Sequence, residues 1–280
     1  MLAALPRPRS GHTRPHYGLG HPPGSRADLD EGAGMVRARP LPALRARRPG
    51  VTARFLAGPR VDDAVRVAGE LVRAGRRVAL DHLPPRSADA AAELTTLVTR
   101  VASARLAADC ELTVPVDRLG TLGARRVALT AADAGLGVCL LGPAALVDRL
   151  AAGLPGARTA VLCGDPDAED RARALAGRPV RLVAGRGSAA DRALVRCLNV
   201  LLPAPGHLSV ASSDPRLVAV TGERVAWYDR PPGSWEHLMS YGVRTAEQQR
   251  LVAAGATVRV AVPSGTGAAG LLVRRLAGAA

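Results

Sequence analysis

Residues 137–202 read GVCLLGPAALVDRLAAGLPGARTAVLCGDPDAEDRARALAGRPVRLVAGRGSAADRALVRCLNVLL, and one pattern passes through them three times. Gly137–Leu141, Thr159–Cys163 and Val180–Ala184 are short runs, apolar almost throughout. Each leads into a Gly, Pro or polar loop and then into an Ala/Leu/Arg stretch, at Ala144–Ala152, Asp167–Leu175 and Ala189–Leu202. Runs that are apolar instead of alternating read as parallel strands buried on both faces, and the stretches between them carry helical periodicity. Ser188 stands where the third helix needs an N-cap.

The same unit recurs on both sides. Five further runs lie at Val78–Leu83, Leu112–Val116, Leu208–Ser212, Trp235–Ser240 and Thr257–Val262, with helical patterns at Ala88–Ala108 and Thr245–Ala253 and a cap expected at Thr245. Before them, Val65, Val67, Ala68, Leu71 and Val72 form a stripe closed by Gly75, and regular structure is expected from Val61 onward. Eight strand–helix units predict a (β/α)8 barrel; an open doubly wound sheet is the alternative, although it usually stops short of eight strands. The expected organisation is a disordered Arg/Pro/Gly-rich tail over 1–50, with Met35 as a second candidate start, followed by one barrel domain over 51–280.

Charge supports this division. The formal net charge is +14, yet residues 1–60 hold 11 Arg against 3 acidic residues, and the remainder 27 against 21. All 38 basic residues are Arg and the chain has no Lys and no Ile, the codon bias of a GC-rich gene. With 1 Phe, 2 Trp and 3 Tyr there are few platforms for base stacking, which argues against nucleic acid. Cys110, Cys139, Cys163 and Cys197 form no C-x-x-C pair and read as buried thiols, and His12, His16 and His21 lie in the irregular tail. No apolar run is long enough to span a bilayer and Arg7, Arg9 and Arg14 lead into no apolar signal core, so a cytoplasmic location is expected.

In such a barrel, function sits where strands end. Those positions hold Asp81 and His82, Asp117 and Arg118, Asp165 and Asp167, Ser212, Ser213 and Asp214, and Tyr241, with Arg181 inside the fifth strand; Asp167 and Asp214 read first as helix caps. Gly265-Thr-Gly-Ala-Ala-Gly270 matches G-x-G-x-x-G, but the chain ends ten residues later, without the second strand and acidic residue a dinucleotide fold requires. It remains either an anion-binding turn or a plain tight turn, as does the weaker Gly185-Arg-Gly187. Arg274 and Arg275 point about 100° apart on the last helix, so both cannot lie on one solvent face.

From about Val51 to Ala277 the chain resembles the proline dehydrogenase family, in its short monofunctional bacterial flavoprotein form. The matches fall in order: Val-Ala-Leu-Asp-His-Leu at 78–83, Arg-Leu-Val-Ala-Gly at 181–185, Val-Ala-Ser-Ser-Asp-Pro-Arg-Leu at 210–217, Tyr-Gly-Val-Arg at 241–244, and Val-Arg-Val-Ala-Val-Pro-Ser-Gly-Thr at 258–266 leading to Arg-Arg-Leu-Ala at 274–277. The resemblance implies a distorted barrel, FAD at its carboxyl-terminal rim, and hydride transfer from proline C5 to flavin N5 giving Δ1-pyrroline-5-carboxylate. It gives Arg274 and Arg275 the substrate carboxylate and Arg181 the catalytic place beside the flavin, a pairing suited to a planar fork and a fixed cation. Ala184, Gly185, Arg186, Ser212, Ser213 and Cys163 would line the cofactor.

Departures gather at the same site. Pro115, Leu141, Cys163, Ala184, Gly187, Ser213, Ser264 and Gly278 stand where the family carries Lys, Asp, Gln, Lys, Tyr, His, Tyr and Glu. The resemblance therefore leaves three functions open: an FAD-dependent proline dehydrogenase, a barrel descendant that binds a carboxylate or a partner without turnover, and a phosphate-binding barrel using Gly265–Gly270.

Overall fold

The computed structural model describes residues 54–85 and 89–268, all within the unit Pro40–Ala280. The tail expected over 1–50 lies outside the described residues, as do Gly270, Arg274 and Arg275.

Eight strands form a closed parallel barrel: β1 (Arg77–His82), β2 (Cys110–Pro115), β3 (Gly137–Leu141), β4 (Arg158–Leu162), β5 (Val180–Val183), β6 (Leu208–Ala211), β7 (Trp235–Ser240) and β8 (Val258–Ser264). The open-sheet alternative is excluded by the seam, where β8 runs beside β1 from Arg77↔Arg259 to His82↔Ser264. Around the barrel lie α1 (Val61–Arg73), α2 (Ala90–Ser103), α3 (Val116–Asp133), α4 (Ala144–Ala151), α5 (Ala168–Ala174), α6 (Gly187–Leu201), α7 (Pro215–Trp227) and α8 (Thr245–Ala253). Helix α1 precedes the first strand and packs on β1, β8 and α2, so the seam is covered from the amino-terminal side. Its buried stripe is Ala64, Val67, Ala68 and Leu71.

Two cap expectations fail and one holds. Helix α6 starts behind Arg186, and α8 behind Arg244 in the left-handed region, so neither Ser188 nor Thr245 is the cap. Asp214 caps α7 by accepting from the Arg216 N–H at 2.9 Å. Asp167 stands at the N-cap of α5, but its side chain makes no capping bond. Helix α2 stops short of the expected Ala108 because the chain turns at Arg105, with φ +58.

That turn is one of five alike. After α1, α2, α3, α7 and α8, a residue in the left-handed region (Gly75, Arg105, Gly135, Asp229, Gly255) donates to the carbonyl three residues back, and the next N–H to the one five back. These bonds are the Schellman closure, which satisfies the orphan carbonyls of a helix end and aims the chain back toward the sheet.

The two faces of the sheet differ. Outward positions such as Val78, Leu80, Leu112, Val114, Leu140, Leu182, Val260 and Val262 are buried against the helices. Inward positions carry Asp81, Glu111, Thr113, Arg158, Arg181, Ser209, Glu236 and Arg259, nearly all buried. The runs are buried on both faces as expected, but the inner face is ionic and not apolar.

Candidate active site in the barrel lumen

Three contacts establish what fills the lumen. Arg181 on β5 donates to Thr113 Oγ1 on β2 at 2.9 Å, and it also binds Glu111 of β2. Arg158 on β4 binds Glu111 as well and lies 3.8 Å from Glu236 on β7. Strands β2 and β5, like β4 and β7, are three apart in the ring, so these bonds cross the interior. Arg259 on β8 completes the system with a 2.7 Å bond to Glu236. From the carboxyl-terminal end downward the charges alternate: Asp81, Arg181, Glu111, Arg158, Glu236, Arg259. Asp81 is reached through Thr113, which donates to it at 2.6 Å, and lies 3.6 Å from Arg181.

Alternation is what makes such burial tolerable, because an isolated charge removed from water costs several kcal/mol and each ion here has opposite charges as neighbours. Burial would raise the Glu236 carboxyl, but Arg259, Arg158 and His207 outweigh it and hold it at about 2. Arg158 is lowered to about 10 by burial, with Glu236 opposing. His207, whose Nδ1 pairs with the Arg158 guanidinium at 2.9 Å, is lowered to about 4 by burial and then by that cation. The inward Cys139 thiol is pushed up to about 11, chiefly by burial.

Toward the mouth the lining changes. Ala79, in register with Glu111, forms an apolar layer with Leu238 and Ala261, and Ala211 packs on it. Register carries the inward positions upward to Pro115↔Leu141, to Leu162↔Val183↔Ala211, and to Pro263 beside Asp81. Leu162 is 39% exposed, uncommon for a large apolar side chain at an inward position. The mouth is therefore a largely apolar floor that also holds the Asp81 carboxylate, with the Arg181 cation below it.

The other expected residues distribute as follows. Arg181 is in the lumen, 5% exposed, with its Nε buried and unpartnered. Ala184, Gly185 and Arg186 form the β5–α6 loop, where Ala184 donates to Ala211 O at 3.0 Å. A Cβ on Gly185 would come 2.5 Å from Ala190 Cβ and 2.8 Å from Gly164 N, so this glycine serves a close packing of loop on helix. Ser213 Oγ accepts from the Ser240 N–H at 3.0 Å and Ser212 Oγ from the Asp214 N–H at 3.2 Å, which ties the β6 loop to β7 and to the α7 cap. Cys163 is displaced from the role expected of it. Its thiol is buried on the helix side of the sheet, in the same core cluster as Cys197 of α6 and away from the mouth.

His82 is likewise turned outward. It is fully buried, with Nδ1 2.8 Å from Ser264 Oγ and Nε2 2.7 Å from Glu93 Oε1, a strand-to-helix link and not a rim group. Arg118 donates to Pro84 O at 3.1 Å and Asp117 lies exposed in α3; Asp165 and Asp167 are exposed, and Tyr241 packs against the core. In the Gly265 loop the N–H groups of Gly265 and Gly267 are taken by Gly58 O and Leu83 O, both at 3.0 Å. Gly265 has φ +87, and a Cβ there would meet Leu83 O at 2.5 Å. The loop is a clamp between chain segments, and those two donors are not presented to an anion.

Sequence reading missed Glu111, Arg158, Glu236 and Arg259. The signal was present: each stands inside or one residue before a run read as apolar almost throughout, and charge with period two marks the inner face. Among the described residues no cluster of His, Cys, Asp or Glu is arranged to hold a metal, and no helix is long and apolar enough to cross a membrane.

No protein-family model and no curated protein matches the sequence. Solved structures do match. Proline utilization A from Bdellovibrio bacteriovorus, inactivated by N-propargylglycine, is 18% identical with a TM-score of 0.73, covering 84% of this chain and 33% of that one. Proline utilization A from Corynebacterium freiburgense is 16% identical with a TM-score of 0.63, covering 85% and 32%. A variant of the Bradyrhizobium japonicum protein is 17% identical with a TM-score of 0.63, covering 80% and 30%. The chain thus spans about a third of these proteins' length. The likeness is one of fold: a closed (β/α)8 barrel.

Proposed function

We propose that the chain is a flavin-dependent oxidoreductase of the proline dehydrogenase type, taking L-proline or a similar imino acid to Δ1-pyrroline-5-carboxylate. The observation that carries the reading is the apolar floor of Leu162, Val183, Ala211 and Leu141 set above the buried Arg181. A flat, largely apolar ring suits such a floor, and a fixed cation beneath suits a ring that accepts negative charge. The fit extends to the loop after β5, where α6 starts without a side-chain cap and its first N–H groups suit a phosphate. Leu162, Val183 and Arg181 would face the ring, and Gly187 and Ser188 the phosphates.

Bound there, a flavin would supply the two-electron acceptor. The chain's own contribution is positional. Glu111 and Thr113 hold the guanidinium of Arg181 in one orientation, so its field costs no reorganisation during reaction. With the mouth covered, its leucines and prolines would keep water from Arg181, which would strengthen that field. Arg274 and Arg275 are proposed to clamp the substrate carboxylate.

A second reading, a barrel without turnover, is favoured by one observation: Arg181 is only 5% exposed and two of its nitrogens are already engaged. Flavin binding separates the two. Protein incubated with FAD and freed of excess by gel filtration should retain a flavin spectrum under the first reading; a preparation that stays colourless rejects it and leaves the second.

A further inference from the structure

The end of the barrel opposite the mouth holds a cavity of about 340 Å³, lined among others by Arg76, Arg77, Asp109, Thr257, Val72 and Val252. It lies between the closing turns of α1 and α8, where β1 and β8 begin. Arg76 is 8% exposed. Its Nε is buried without a partner, and among the described residues its guanidinium makes no hydrogen bond or ion pair. The side chain is more than nine-tenths buried and its Nε has no partner, so Arg76 is the cation on this face best placed to take an anion at its terminal nitrogens.

Arg77 is barely better provided. Its carboxylate, Glu236, is 3.8 Å away, and Arg259 at 2.7 Å and Arg158 at 3.8 Å already share it. Asp109 is the one carboxylate of the lining. The ends of α1 and α8 present only partial negative charge, roughly half a charge each, and their last carbonyls are engaged in the closing turns, so the groups left to meet a ligand are the two guanidiniums, with Asp109 as the full counter-charge of the lining.

We infer that this cavity binds a compact oxyanion, a phosphate or a short aliphatic carboxylate, between the guanidinium groups of Arg76 and Arg77. Val72 and Val252 give the site apolar walls that limit the ligand's size. The site is remote from the mouth and stands whether or not the flavin reading does.

Calorimetric titration of the full chain with inorganic phosphate in one arm and succinate in the other, at ionic strength held constant with sodium chloride, tests it. Saturable binding of one equivalent is expected in at least one arm, and the tighter arm identifies the ligand class. Arg77→Gln, at a half-exposed side chain, should weaken it by about tenfold or more. Arg76→Gln should do the same; because that variant touches a buried position, protection of Arg76 from phenylglyoxal by the bound anion, read by peptide mass, provides a second measurement on the unaltered protein. Absence of saturable binding in both arms overturns the inference, as does binding unchanged in Arg77→Gln or an Arg76 that the anion leaves unprotected.

Discussion

Arg181 on β5 and Glu111 on β2 form an ion pair through the middle of the barrel, and Glu111 also takes Arg158. One carboxylate thus holds two guanidinium groups from different strands, which ties the halves of the ring together and fixes the cation beneath the mouth.

Removing that carboxylate leaves both cations uncompensated. Glu111→Ala should cost about 3–5 kcal/mol, the range for breaking a buried ion pair from one side. Urea denaturation measures it. A triple change of Glu111→Leu, Arg158→Met and Arg181→Met should recover most of the loss while abolishing any reduction of flavin by proline, because packing can replace the pairing but not the charge.

Stability should fall on acidification in two stages. His207 and His237 are both held at about 4 by burial, opposed at His237 by Glu247, so between the ordinary value of 6.5 and about 4 the unfolded chain binds protons the folded one does not. Stability therefore rises with pH across that window and is lost below it. Glu236, held at about 2 from 4.5, adds a second loss as pH falls from 4.5 toward 2. Thermal midpoints taken from pH 7 to pH 3 should decline from about pH 6.5 downward. In His207→Gln the first limb should flatten; an unchanged limb removes His207 as its source.

Two of the five Schellman turns place a non-glycine residue in the left-handed region, Arg105 at φ +58 and Asp229 at φ +47. Arg105→Gly and Asp229→Gly should each raise stability by about 0.5–1 kcal/mol, since relief of backbone strain exceeds the added entropy of the unfolded chain. Denaturant midpoints of the two variants check this.

Gly185→Ala should act in the opposite direction. Its Cβ has no room between Ala190 and Gly164, and the backbone of Gly164 cannot yield as a side-chain end would. A cost of about 1–3 kcal/mol is expected, with the β5–α6 loop displaced and flavin retention weakened.

The strands and the barrel were legible because the outward face of each strand is a dense row of Val and Leu, and the bounds of β3 and β7 match the expected Gly137–Leu141 and Trp235–Ser240. Helices α3 and α7 were harder to read: Gly120 and Gly123 interrupt the first and Gly222 the second, and Gly120 lies outside helical geometry. The ionic lumen was hidden for another reason. Glu111 and Arg158 stand one residue before the apolar runs, so the runs seemed to begin after them, while Glu236 and Arg259 looked like single interruptions. Only closure of the ring shows that these four residues meet. His82 and Cys163 were misplaced by the pleat, since one step along a strand moves a side chain from lumen to helix layer.

The most direct test mixes FAD-reconstituted protein with L-proline in the absence of oxygen and follows the visible flavin absorption. Bleaching by L-proline, lost in Arg181→Met that still retains flavin, is the predicted result. Flavin that stays oxidised at saturating proline, or bleaching that persists undiminished without Arg181, contradicts the assignment.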